Sequence, residues 1–219
     1  MIRALFVGVA LTVAAPWAAP ARAAEGSELT LESLMEGMAS ARGVVAEFRE
    51  VKKLRLLRSP LESRGQLDFI PPDRLVRRTH EPAEATLWID GSRVSFQDTA
   101  GAEPADLSGD PSAREFIDNF VVIFSGDLPE LQRRYETRFT ASGSSWSLEL
   151  EPRDALVRRF VARISLVGEG RGLREMVLLE SDGDVTTTTF ERVETDHLHS
   201  EEELRNLFAG ADTPEVPAP

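Results

Sequence analysis

The chain has 219 residues, with 25 Lys and Arg against 37 Asp and Glu, and no Cys. Its formal charge of −12 excludes nucleic acid and an anionic membrane surface as the main partner, because both select basic faces. Without Cys there is neither a disulfide framework nor a lipobox, so stability must come from a core. The 42% hydrophobic and 28% charged fractions suit one globular domain.

Met1 to Ala23 read as a cleaved export signal. Arg3 gives a positive start, Ala4 to Ala15 form an apolar run, and Ala21-Arg22-Ala23 is a small-x-small cleavage site. Pro16 and Pro20 interrupt the run before the ~20 apolar residues that a membrane span requires. Cleavage removes Arg3 and Arg22 and no acid, which moves the formal charge from −12 to −14. The expected organisation is a signal peptide over 1–23, one domain over 24–211 and a disordered tail over 212–219, outside the cytoplasm and not membrane-spanning.

Thr30 is placed to cap a short helix whose apolar stripe is Leu31, Leu34, Met35 and Met38; Arg42-Gly43 ends it. From Val44 the period becomes two, through Leu57, with neither face purely apolar. Lys52, Lys53, Arg55 and Arg58 belong to this alternation as a solvated strand face. Further strands are predicted over Ser63 to Phe69, Arg74 to Thr79 and Ala85 to Ile89, with a Pro71-Pro72-Asp73 turn between the first two. Asp90-Gly91 signals a hairpin that returns through Val94 and Phe96. Ala100 to Asp110 read as a loop.

Ser112 to Ser125 break the strand pattern. Phe116, Phe120 and Phe124, joined by Ile117 and Val121, cover one side of a helix that Gly126 stops. A second short helix is predicted over Leu128 to Arg134, with Pro129 in its first turn. Strands follow over Arg138 to Ala141, Trp146 to Glu151, Phe160 to Val167, Leu173 to Leu179 and Thr186 to Val193. The turns between them are Ser142-Gly143, Gly168 to Gly172 and Asp182-Gly183. Ser200 to Phe208 form a terminal helix. The sum is about ten strands in an antiparallel meander interrupted once by a helical insert, a single curved sheet or barrel.

No residue set makes an enzyme. His197 and His199 form an H-x-H near Asp196 and Glu201, but only His80 remains as a further His, so a solvated segment is expected rather than a zinc site. Asp182-Gly183-Asp184 lacks the carboxylate spacing of a calcium loop and reads as a hairpin turn. Ser144-Ser145-Trp146 is no nucleophile elbow, and Glu149 and Glu151 alternate outward from Leu148 and Leu150. The expectation is no catalytic residue, no metal and no cofactor.

Several segments carry a family resemblance: Val45-Ala46-Glu47-Phe48, Ser63 to Phe69, Pro72-Asp73-Arg74-Leu75, Glu81-Pro82 and Leu87 to Gly91. Trp146 to Pro152, Ile164-Ser165-Leu166 and Glu180 to Asp184 add to it. Over nearly the whole mature chain the pattern resembles the LolA family of periplasmic outer-membrane lipoprotein carriers. The segment Arg58 to Gly65 and the Pro72-to-Val76 run are closer to its divergent LolA-related branch. The resemblance implies an unclosed, strongly curved antiparallel half-barrel, mainly β with α, whose concave face is covered by short helices over an apolar, acyl-binding cavity. One departure is Pro71, at a position where typical carriers have an Arg that latches the helical lid.

On that resemblance the lipid-lining candidates are Phe48, Leu67, Phe69, Leu75, Leu87, Phe96, Ile117, Phe120, Phe124, Leu148 and Leu150. Each residue type serves equally as ordinary core. The implied function is a non-enzymatic, monomeric periplasmic carrier. Its cargo would be a lipidated protein or another acyl lipid, taken from an inner-membrane donor complex and handed to an outer-membrane acceptor. A sensor or interaction module on the same fold, binding lipid or peptide without transfer, is the first alternative. An envelope acyl-ester hydrolase is the second, and an outer-membrane barrel is weaker still, because Arg74 to His80 carry charge on both faces.

Overall fold

The structure, a computed structural model, describes residues 29–99, 104–109 and 121–211. Helix α1 (Leu31–Ala39) begins where expected: Thr30 Oγ1 accepts from the Ser33 amide at 3.2 Å while Ser33 Oγ accepts from the Thr30 amide at 3.0 Å. Eleven strands then form one antiparallel sheet. They are β1 (Val44–Lys53), β2 (Leu61–Ile70), β3 (Arg74–Glu81), β4 (Ala85–Asp90), β5 (Arg93–Asp98), β6 (Ala105–Asp106), β7 (Tyr135–Ser142), β8 (Ser145–Pro152), β9 (Val161–Glu169), β10 (Gly172–Glu180) and β11 (Val185–Glu194).

The spatial order is β6-β5-β4-β3-β2-β1-β11-β10-β9-β8-β7, so two meanders are joined by the β1–β11 pair and the ends are β6 and β7. Among the described residues β6 and β7 do not pair, and the sheet stays open. It nevertheless curls. A single apolar cluster holds Val94 of β5, Tyr135 of β7 and Leu34 of α1, which a flat sheet of this width could not bring together.

Tight turns occur where the sequence marks them. At the β4–β5 hairpin Asp90 pairs with Arg93, so the loop is Gly91-Ser92 with Gly91 at φ 59°. The predicted hairpin is present, shifted by one residue. Residues 121–125 are helical, and α2 (Leu128–Arg134) follows behind an Asp127 cap, within the predicted bounds. The predicted long first strand stops at Lys53, and Ala100 to Asp110, expected as loop, contain the short β6. The proposed signal peptide, the tail over 212–219 and Phe116, Ile117 and Phe120 lie outside the described residues.

Within α2, Glu130 is gripped by Arg133 Nε at 2.7 Å and Arg134 Nε at 2.6 Å. These hydrogen bonds, Arg133 first, hold its carboxyl down to about 2 from the ordinary 4.5. The folded state therefore binds this proton more weakly than the unfolded chain. The stabilisation is complete above the ordinary value and is lost as pH falls toward about 2. Thermal melts between those limits should show a pH slope that Glu130→Gln diminishes; an unchanged slope would refute the assignment.

The terminal helix α3 (Glu201–Phe208) departs from the expected arrangement. It packs on the outer face of the sheet, where Leu207 and Ala211 meet Val76 and Trp88 in a second small core. Trp88 Nε1 donates to the Leu207 carbonyl at 2.8 Å and Ser95 Oγ to that of Ala211 at 3.2 Å. The inner face is thus covered by α1 and residues 121–125, while α3 straps the back.

Candidate functional site

Alternation along each strand sends one set of side chains inward. On β1 these are Val44, Ala46 and Phe48. Register continues the set through Leu67 and Phe69 on β2, Leu75 on β3, and Phe190 on β11. On the far meander Leu148 and Leu150 of β8 lie opposite Leu166 and Ile164 of β9. α1 covers this floor with Leu31, Leu34 and Met35, and residues 121–125 add Val122 and Ile123, all in the same buried cluster.

Of the sequence-predicted residues, Phe48, Leu67, Phe69, Leu75, Leu148 and Leu150 are buried in that cluster, and Leu87 is half-buried against it. Phe96 stands opposite Leu87 and so on the inner face, but it is 36% exposed. Phe124 is half-buried, its ring 5.9 Å from that of Phe69. The positions of Ile117 and Phe120 lie outside the described residues.

A cavity of about 40 Å³ opens between α1 and the sheet. Its wall is apolar: Met38 and Ala41 above, Val44, Ala46, Leu67 and Phe190 below, with Phe124 at the side. Only Leu67 and Phe124 come from the sequence-predicted set. Phe190 was legible as the apolar member after four Thr, but its inward direction is fixed only by pairing with Phe48. Gly126 ties the cover together. Its φ is +74°, and a Cβ there would fall 2.5 Å from the Met35 carbonyl oxygen, so backbone after residue 125 lies directly on α1.

Drug-sized ligands occupy roughly 300–1,000 Å³, so the cavity as it stands is too small to hold one. An acyl chain fits only if α1 or Phe124 moves off the floor.

The histidines correct an expectation. His199 is buried rather than solvated, its side chain 3% exposed, with Nε2 3.4 Å from Asp68 Oδ1. Arg78 Nη2 sits 3.1 Å from the other oxygen of Asp68, and His197 packs edge-on against His199 at 4.6 Å. The cluster fastens the segment before α3 to the outer face. Glu180, Asp182 and Asp184 gather at the β10–β11 hairpin with their oxygens within 4.8 Å. Lys52 Nζ reaches Glu180 at 3.1 Å, and Arg55 donates from Nη1 to the Asp182 carbonyl at 2.6 Å and from its amide to Asp184 at 2.8 Å. One of the three carboxylates is thus ion-paired, and Arg55 fastens the turn through its guanidinium and its amide. Among the described residues no helix is long and apolar enough to cross a membrane.

A family model described as outer membrane lipoprotein carrier protein LolA-like matches residues 19–206. No curated protein matches the chain significantly. Among solved structures, a LolA superfamily protein from Nitrosomonas europaea is 12% identical with a TM-score of 0.40, over 78% of this chain and 96% of that one. A putative outer membrane lipoprotein-sorting protein domain from Vibrio parahaemolyticus is 9% identical with a TM-score of 0.45, over 82% and 96%. The MucA/MucB complex of Pseudomonas aeruginosa gives 15% and 0.46, over 80% of this chain and 60% of that one.

Proposed function

The chain belongs to the LolA-like outer membrane lipoprotein carrier family, and from that premise we propose that it carries acyl-bearing cargo through the periplasm toward the outer membrane. The cargo is a lipoprotein or another envelope lipid, held in an apolar site that opens between the sheet and its helical cover. In this reading residues 1–23 are removed on export, 24–211 form the carrier domain, and no chemistry is performed on the cargo. The observation that supports it most is the apolar floor around Ala46, Leu67, Phe69 and Phe190, which is roofed by α1 and residues 121–125 and is already parted at the cavity beside Phe124.

The energetics fit a carrier. Burying an acyl chain returns ~0.8 kcal/mol per methylene. Loading must also displace Phe124 and the α1 side chains from the floor, which offsets part of that gain. Binding is then strong enough to hold a chain out of water and weak enough to release it.

Native mass spectrometry of protein taken from the periplasm, with extraction of whatever it holds, is expected to find acyl-bearing species. A consistently empty protein that also fails to exchange fluorescent acyl probes would end the proposal. Acyl binding with no transfer to acceptor vesicles would instead make it a lipid sensor on the same fold.

A further inference from the structure

The inner face also carries charge, at Lys52 and Glu180 toward one end and, nearer the cavity, at Arg77 and Glu50. Arg77 of β3 points inward from a register position opposite Leu67, and its guanidinium lies 4.2 Å above the Phe48 ring. Beside it Glu50 of β1 also points inward, with Arg77 Nη2 3.1 Å from its Oε2. Neither is a surface pair, the two side chains being 28% and 26% exposed. The apolar cavity is only one inward position away: Ala46 and Phe190, which line it, flank Phe48 along β1 and across to β11.

Hydrogen-bonding capacity in this cluster is lopsided. Both oxygens of Glu50 are engaged, Oε2 by Thr188 Oγ1 at 3.3 Å and Oε1 by Ser63 Oγ at 3.5 Å. Arg77 has donors to spare: Nη2 faces Glu50 Oε2 at 3.1 Å and Nη1 reaches Thr79 Oγ1 at 3.5 Å, which accounts for two of its N–H groups. A guanidinium offers five N–H donors, and a buried donor left unmade is costly. The cluster therefore has donor capacity for a second acceptor beside Glu50.

We propose that Arg77, stacked on Phe48 and braced by Glu50, is a polar-head subsite at the end of the apolar floor. It would receive the carboxylate or phosphate of an acyl amphiphile whose chain lies over Ala46, Leu67 and Phe190. The inference rests on the reading that the inner face takes acyl chains. The incoming anion takes over Arg77 from Glu50, which keeps its Thr188 and Ser63 hydrogen bonds. A guanidinium fork matches either anion in bidentate geometry.

Palmitate and palmitoyl lysophosphatidate below their micellar concentrations, and hexadecanol below its solubility limit, test the subsite by displacement of a fluorescent acyl probe from the full mature chain. At least one of the two anions should bind about tenfold or more tighter than hexadecanol, the scale of a charge-assisted pair. The tighter anion identifies the head as fatty-acid or phospholipid in origin. Arg77→Gln should erase that preference and leave hexadecanol unchanged. Glu50→Gln, which removes the competing carboxylate, should strengthen anion binding alone. Equal binding of all three probes to the wild type, or an equal loss of all three in Arg77→Gln, would overturn the subsite while leaving the acyl cavity standing. Binding of none of them would overturn both. Should Arg77→Gln not fold, Glu50→Gln decides: no gain for either anion refutes the proposal.

Discussion

Oxidised Gly37→Cys/Arg171→Cys protein should take up fluorescent acyl probe at least about tenfold more slowly than the wild type, and reduction should restore the rate, because entry requires the cover to lift. The positions are set by the cavity mouth. Gly37 lies in the last turns of α1 and Arg171 in the β9–β10 turn, and both line the opening. A Cβ at residue 37 would stand 3.1 Å from Cγ of Arg171, and the Cβ of 171 is one bond farther back. That places the two Cβ atoms more than 4 Å apart, toward the long end of the ~3.5–4.5 Å that separates the Cβ atoms of a disulfide. The native chain has no Cys, so no other pairing competes.

The size of the effect follows from volume. About 40 Å³ is open between α1 and the sheet, far below the roughly 300–1,000 Å³ of sites that hold drug-sized ligands. A staple across the mouth leaves the floor intact and removes only the motion. Arg171 also gives up its 2.7 Å pair with Asp196, which both single-Cys variants control for. Equal loading by oxidised and reduced protein would show that the chain enters elsewhere, and the α1 cover would lose its role as a lid.

What could be read from the chain was whatever local chemistry writes. The Thr30 and Ser200 caps, the glycines at 91, 143 and 183 with positive φ, and the bounds of α2 all depend on residues within a few positions of one another. Features set by distant partners were not legible. β6 is two residues long and exists only because Ser95 and Phe96 pair with it. His199 is buried because Asp68, far away in sequence, waits on the next strand but one. Phe190 and Ala46 resemble any alternating strand residues until β1 meets β11 and turns them to one cavity. Arg77 left a trace, since charge on both faces of Arg74 to His80 argues against a lipid-facing barrel strand. The same alternation hid its partner, because Glu50 sits in a strand whose two faces are both mixed.

Gly65→Ala should cost on the order of 3 kcal/mol or more, the upper range for overpacking, with backbone displacement added. Gly65 is not needed for its torsion angles; it is needed for space. A Cβ there would overlap the carbonyl oxygen of Arg78 on the neighbouring strand and lie 2.8 Å from Cε1 of Phe48. The β2–β3 register shifts between Arg64 and Gly65, so the strands come together at the one residue that allows it. Phe48 fills the vacancy, paired directly across from Gly65, and its ring becomes the platform for Arg77.

Gly143→Ala is the matched comparison. That residue has φ +62° and open space around its Cβ, so strain alone should cost about 1 kcal/mol. Urea unfolding of the two variants separates crowding from conformation, and a Gly65→Ala loss no larger than that of Gly143→Ala would refute the crowding account. Adding Phe48→Leu distinguishes the two obstacles. A flexible ring can yield, but the Arg78 carbonyl belongs to the sheet and cannot. The double variant should therefore recover little of the lost stability. It should also lose the stacked guanidinium, and with it the anion preference, while apolar chains still bind the remaining floor.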